Sequence, residues 1–291
     1  MSRRPALLAS LVSLAAACGG AGGAPGAPGG GPDGGPGPDA HAGADAATAA
    51  PVTVVTLNLR CLIDDWDARL PLIADGLIAA APDVIALQEV CAAPGGRDAL
   101  EELVAALVAR GAGDPAVTRT TTHLAWDTYD EGLAILAFHP IAAVRVEPLT
   151  GGALPRKLLA ARIAGPAGAL VLGATHLDHQ SDAARAAQAA AVAAALDGFA
   201  GDAPTLLLGD LNEAPGGGVT STLEAAGFTD GWRAVHPDDP GATFPSVAPD
   251  ARIDYVWLRG AAATTATRIL VPTGDVAASD HLGVRVTIAA P

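Results

Sequence analysis

Leu206-Leu207-Leu208-Gly209-Asp210-Leu211-Asn212 is the stretch on which the reading of this chain turns. Three leucines make an apolar run of strand length, and Gly209 and Pro215 mark a turn just beyond it. Alternation along an extended chain puts Asp210 and Asn212 on one side. A carboxylate, which only accepts hydrogen bonds, beside an amide suits holding a phosphate, a hard metal or an attacking water. Asp and Asn also open ordinary turns after strands. The segment therefore takes its meaning from its company.

Outward from it, the chain alternates strand and helix. Apolar or β-branched runs predict strands at 52–59, 84–87, 132–137, 158–163, 170–175, 206–208, 252–258, 267–271 and 282–288. Helical patterns fall at 69–80, 98–109, 182–199 and 220–226, with Asp182 as an N-cap candidate. Strand–helix units come early, and strand pairs fill the middle and the end. That order predicts a mixed-sheet α/β protein. No internal repeat is visible.

The polar residues gather at strand ends: Asn58, Gln88-Glu89, His176 with Asp178, Asp210 with Asn212, and Ser279-Asp280-His281 before the last strand. Ligands in open α/β sheets collect at such ends. Asp254 lies inside the apolar run Arg252-Ile253-Asp254-Tyr255-Val256, where a carboxylate is costly unless paired or hydrogen-bonded. Each residue alone has an ordinary explanation: loop satisfaction for Asn58, Asp178 and His179, a solvated strand end for Glu89, a structural histidine for His176. One convergent site explains all of them together.

Composition bounds the setting. The chain has 291 residues and a formal charge of −14. Such an acidic surface repels nucleic acid and anionic membranes unless divalent cations or a basic patch offset it. Arg156-Lys157 is the one adjacent basic pair after Arg3-Arg4. Residues 1–18 have a basic start, a short apolar run and small residues before Cys18, the layout of a secretory signal. They resemble the bacterial lipoprotein type, with Cys18 the lipidated residue; an ordinary cleaved signal is the alternative. Residues 19–50 hold 12 glycines and 5 prolines and are expected to be a disordered tether. Residues 51–291 are long enough for one large domain. The expected location is export, with anchorage to the bacterial cell envelope by the N-terminal lipid or else secretion. Cys61 and Cys91 each follow a strand-like run and are expected to form a disulfide, or to remain as buried thiols.

With these residues in place, the chain resembles the endonuclease/exonuclease/phosphatase superfamily. The resemblance is carried, in order, by Thr56-Leu57-Asn58-Leu59-Arg60, Leu87-Gln88-Glu89-Val90, Thr175-His176-Leu177-Asp178, Gly209-Asp210-Leu211-Asn212, Arg252-Ile253-Asp254-Tyr255 and Ser279-Asp280-His281. It implies a four-layer sandwich, two mixed β-sheets packed face to face and flanked by helices. It also implies a metal-dependent phosphoesterase using Mg²⁺, with Mn²⁺ or Ca²⁺ as alternatives, in which water attacks phosphorus directly. On that resemblance Glu89, Asn58 and Asp280 are the metal candidates. Asp210 and Asn212 orient water and phosphate, His281 with Asp254 acts as base or polariser, and His176 stabilises the transition state or assists the leaving group. Tyr129-Asp130-Glu131 matches a stacking tyrosine and a glutamate that orients His176, and Arg156 a phosphate contact. The position two after Glu89, often basic in deoxyribonuclease-like members, is Cys91 here, which speaks against duplex-DNA specificity. The expected substrate is a phosphodiester, in nucleic acid or a phospholipid headgroup, acted on by a monomer. A sphingomyelinase-like lipid phosphodiesterase and a catalytically degenerate surface binding protein are the alternatives.

Overall fold

Residues 50–165 and 168–289 are described by the structure, a computed structural model. The signal with Cys18, and the tether apart from Ala50, lie outside the described residues. In chain order the elements are β1 (Val52–Asn58), α1 (Trp66–Ala80), β2 (Val84–Ala92), α2 (Ala99–Ala109), β3 (Ala116–Ala125) and β4 (Tyr129–Ala137). Then come β5 (Ile141–Leu149), β6 (Arg156–Gly165), β7 (Gly168–His176), α3 (Asp182–Ala200), β8 (Thr205–Asp210) and α4 (Gly218–Ala225). The last are β9 (Thr229–Asp230), α5 (Gly231–Val235), β10 (Asp254–Arg259), β11 (Ala263–Ile269) and β12 (Gly283–Ile288).

The strands form two six-stranded sheets, ordered β11-β12-β1-β2-β4-β3 and β5-β6-β7-β8-β10-β9. Each sheet has a single parallel pair at its centre, β1 with β2 and β7 with β8, each pair joined through a helix, α1 or α3. All other pairings are antiparallel. Read strand by strand, the two sheets repeat one layout, which the sequence does not betray.

Three apolar clusters define the layers. Val54, Val84, Leu133 and Ile135 of the first sheet meet Leu159, Leu172, Leu206 and Leu208 of the second. On the outer faces, Leu57, Ile85 and Leu87 pack against Ile73 and Leu77 of α1 and Leu103 of α2, while Val171, Leu207 and Trp257 pack against Val192 and Leu196 of α3 and Leu223 of α4. Central strands are buried on both faces, so they read as continuous apolar runs. The fold is the expected four-layer α/β sandwich.

Two predicted gaps are strands. β3 and β5 are edge strands whose residues mostly alternate between half-buried and exposed; threonine dominates β3, and in β5 Arg145, Glu147 and Pro148 interrupt the apolar residues. The N-cap of α3 is Ser181, which accepts from the Ala184 N–H at 3.2 Å, and not Asp182. Asp182 is already helical, where its charge suits the positive end of the helix.

Cys61 and Cys91 are bridged, with Cα atoms 4.9 Å apart. The bridge lies just past Asn58 on one strand and Glu89 on the next. Arg69, almost wholly buried in α1, braces the same region. Its guanidinium donates to the carbonyls of Leu59, Arg60, Cys61 and Ile63 after β1 and to that of Ala278 before β12.

Candidate active site

The two parallel pairs end at the same rim. Register aligns Asn58 with Gln88 in one sheet and His176 with Asp210 in the other. A cleft of about 510 Å³ opens there, and Glu89, Glu131, Arg156, His176, Asp210, Asn212, Asp280 and His281 all line it. Local backbone irregularities aim two of them. The β2–β4 register shifts between Leu87 and Val90, and Glu89, in that bulge, has φ 50°. Asn212 also has positive φ, 52°. Residues held in such sparsely populated conformations concentrate at functional sites. Gly209 serves the geometry differently. A Cβ there would stand 2.0 Å from the Thr175 carbonyl oxygen, so only glycine lets β8 lie this close to β7 and carry Asp210 beside His176.

Hydrogen bonds tie the two sheets into one site. The Asn58 amide donates to Glu89 Oε1 at 2.9 Å and to Asp210 Oδ2 at 3.2 Å. His176 Nε2 lies 3.4 Å, and His281 Nε2 3.8 Å, from the same Asp210 oxygen. Behind His281, Nδ1 donates to Asp254 Oδ2 at 2.9 Å, and the Thr243 hydroxyl donates to that oxygen at 2.6 Å. The Asn212 backbone N–H donates to Asp210 Oδ1 at 2.9 Å, and its side-chain amide to the Leu177 carbonyl at 3.1 Å. Ser279 secures the last segment, its hydroxyl donating to the Asn58 carbonyl at 2.7 Å while accepting from the His281 N–H at 3.2 Å.

Electrostatics divide the proton-carrying roles. Burial opposes charge on His281, but Asp254, Asp210 and Asp280 favour the imidazolium and push its pKa up to about 10. Burial, with Asp254 and Glu89 adding repulsion, pushes Asp210 up to about 7. Burial holds His176 well below the usual range, and Arg156 and His281 deepen the effect, so its imidazole is neutral. Burial, followed by Glu89, raises Glu131 to about 7. The arrangement thus sets an imidazolium 3.8 Å from a carboxyl group that titrates near neutrality.

The donor chemistry fits a hard divalent cation. Glu89 and Asp280 offer carboxylate oxygens at the cleft, the Asn58 amide stands behind Glu89 with its oxygen accepting from the Arg60 N–H at 2.9 Å, and the nearby cysteines are consumed in a disulfide. Mutual repulsion among Asp210, Asp254 and Glu89 is what a cation would relieve. Among the described residues, Asp210, Asp254 and His281 also bring ligand atoms within 4.8 Å of one another. There, however, His281 Nδ1 and Asp254 Oδ2 already engage each other, so that trio reads better as a proton-handling line than as a cage. Asp280 forms an ion pair with Arg60.

The structure revises two expectations drawn from the tyrosine–glutamate motif. Glu131 is not the partner of His176: its carboxylate lies 3.7 Å from His123 Nε2 and 3.9 Å from Arg156 Nη1. His176 Nδ1 is buried without a hydrogen-bond partner. β4 runs in the other sheet from β7, and Glu131 pairs there with His123 of β3 while Arg156 of β6 faces it. Tyr129 does not line the cleft. Arg156 does, and its buried Nε has no partner. Asp178 serves the loop, accepting from the backbone N–H groups of Ala153, Gln180 and Ser181. His123, Thr243 and Phe244, the last with its ring centroid 4.8 Å from that of His281, enter the site unannounced. His123 sits on an edge strand and Thr243 and Phe244 in an irregular loop, where no periodicity marks them.

A family model described as the Endonuclease/Exonuclease/phosphatase family matches residues 55–281. No curated protein matches the sequence. Among solved structures, the endonuclease/exonuclease/phosphatase from Beutenbergia cavernae DSM 12333 is similar, with TM-score 0.68 and 27% identity over 82% of this chain and 72% of its own. A mannosyl-6-phosphatase from Bacteroides thetaiotaomicron VPI-5482 has TM-score 0.63 and 19% identity over 81% of this chain and 99% of its own. D. rerio TDP2 complexed with single strand DNA product has TM-score 0.66 and 16% identity, over 82% and 99%. At those identities the last two establish a common fold.

Proposed function

We propose, because this chain belongs to the endonuclease/exonuclease/phosphatase family, that it hydrolyses phosphodiester bonds by direct attack of water in a metal-dependent reaction. One observation carries the reading: the Asn58 amide bonds both Glu89 and Asp210, and the same Asp210 oxygen faces both His176 and the Asp254-backed His281. A loop turn or a structural histidine needs no such convergence.

Arg156 and the His281 imidazolium bind the phosphoryl oxygens, and Asn212 and Asp210 orient the water. As water attacks phosphorus, its proton passes to Asp210, and neutral His176 holds that carboxylate in place. The ester P–O bond breaks, and the leaving oxygen takes a proton from His281. Asp210 then returns its proton to His281, 3.8 Å away, and the site is restored. Asp254 stabilises the imidazolium in between. Glu89, Asn58 and Asp280 would hold the cation, Mg²⁺ with Mn²⁺ or Ca²⁺ as substitutes, which supplies charge neutralisation at the phosphoryl group.

The substrate is an extracytoplasmic phosphodiester of nucleic acid or small-molecule type. The Cys61–Cys91 bridge supports export, since disulfides persist in oxidising compartments. Cys18 is then the lipidated anchor of an enzyme at the bacterial cell envelope. One chain supplies every site residue, which suits a monomer. The test is turnover of single-stranded DNA, RNA, sphingomyelin and bis(p-nitrophenyl) phosphate with Mg²⁺ and with EDTA. EDTA-sensitive hydrolysis of a nucleic acid or the nitrophenyl ester is expected. Turnover of sphingomyelin alone would move the activity to lipids, and no turnover of any would overturn the reading.

A further inference from the structure

Part of the cleft lining is left unused by the chemistry above. Besides the charged groups, Trp126, Leu124, Leu154 and Phe244 give it apolar surface. Trp126 stands at the tip of the β3–β4 hairpin and is 61% exposed, whereas Trp66, Trp232 and Trp257 are all buried. Its backbone is held at φ 47°, followed by Asp127 at φ 52°. Turns of this kind ordinarily take glycine or asparagine, and a bulky residue there is an outlier that the surrounding structure must enforce. Thr128 enforces it, donating its N–H to the Ala125 carbonyl at 2.9 Å and its hydroxyl to the Trp126 carbonyl at 2.8 Å. Tyr129 meets the indole edge-on, with planes at 85° and centroids 6.4 Å apart. That contact props the ring while most of the residue stays exposed. An exposed aromatic alone needs no explanation; one held in a disfavoured conformation, propped by a second ring and bordering a phosphoesterase cleft does.

We propose that Trp126 is a specificity-determining residue which stacks against a planar aromatic group of the phosphoester substrate, a nucleobase or an aryl group, while the charged groups hold the phosphate. The proposal rests on the phosphodiesterase reading of the same cleft. It moves the stacking role from Tyr129 to Trp126 and gives Tyr129 the task of support. A cleft of about 510 Å³ accommodates one nucleotide unit better than a long acyl chain. Two aromatic rings on its border favour a flat ligand, because base–aromatic stacking is tolerant of sequence but demands a π-face.

The burial of the other three tryptophans makes fluorescence quenching report on Trp126. The full chain with Mg²⁺ is titrated with adenosine 5′-monophosphate, phenyl phosphate and ribose 5-phosphate. The first, or the first two, should quench and bind about tenfold more tightly than the sugar phosphate, as expected for one stacked ring. Trp126→Ala should erase that preference, measured by competition, and Trp126→Phe should keep most of it. Quenching by adenosine monophosphate alone assigns the group as a nucleobase; quenching by both assigns any aryl ring. Equal affinity for all three ligands, absence of binding, a preference that survives Trp126→Ala, or stronger binding of lysophospholipid would overturn the proposal. Turnover is read separately with bis(p-nitrophenyl) phosphate. Ring preference without hydrolysis sinks the phosphodiesterase reading and leaves the subsite. Hydrolysis without ring preference does the reverse.

Discussion

Asp254 illustrates how much a single carboxylate can decide. One of its oxygens takes both the His281 imidazole and the Thr243 hydroxyl, while the other is buried with no partner. Asparagine would keep the shape and one acceptor but lose the charge that stabilises the imidazolium. Asp254→Asn is therefore expected to lower kcat at least 100-fold, the order that acid–base catalysis contributes, with a melting temperature close to that of the parent. Glu89→Ala and Asp210→Asn should do the same by different routes, the first by loss of metal and the second by loss of the proton acceptor. Steady-state kinetics on the folded variants checks all three, and a near-normal rate removes that residue from the site. At this scale the sequence was most legible where chemistry is costly. Asp254 within an apolar run and Asp210 after three leucines announce themselves, because burying a carboxylate requires a purpose. Glu131 was misassigned to His176, since a motif gives the residue but not the sheet across which it looks.

Elements deliver these residues, and Gly209 is the narrowest point in the delivery. Alanine there would force β7 and β8 apart, since its Cβ would meet the Thr175 carbonyl at 2.0 Å. Gly209→Ala should lose roughly 3 kcal/mol or more of stability and most of its activity, read from urea unfolding and from turnover in the absence of urea. A normal unfolding midpoint would show that the two strands have slack. The buried parallel strands were legible as apolar runs and the helices as periodic ones. β3 and β5 were not, because an edge strand needs only one covered face: β3 covers its face mostly with alanine and threonine, and β5 sets Arg145 and Glu147 among the covered positions. The loop that carries Thr243 and Phe244 has no period at all, so its arrival beside His281 follows from packing that no short window of sequence contains.

At the scale of the whole molecule, the site exists only where two similar sheets meet. Asn58 and Glu89 come from one, His176, Asp210 and Asp254 from the other. The Cys61–Cys91 bridge fastens the first pair of strands, and with a separation of 30 residues it should contribute about 3.5 kcal/mol through chain entropy. Reduction, or Cys61→Ser with Cys91→Ser, should lower the melting temperature by about 10 °C, measured calorimetrically; an unchanged temperature would assign the bridge no weight in stability. The repeated layout of the sheets was invisible in the sequence, because the two halves share strand order and direction while their residues differ.

The strand order also has a consequence for truncation. β12 inserts between β11 and β1, pairing Ile288 with Val52, and the Asp280-His281 dipeptide arrives immediately before it. A chain cut before Asp280 would keep Asn58, Glu89, His176, Asp210 and Asp254 but lose the imidazole that Asp254 backs and one oxygen donor. It would also leave β1 and β11 without the strand that joins them, so the same cut would unfasten the sheet and the site together.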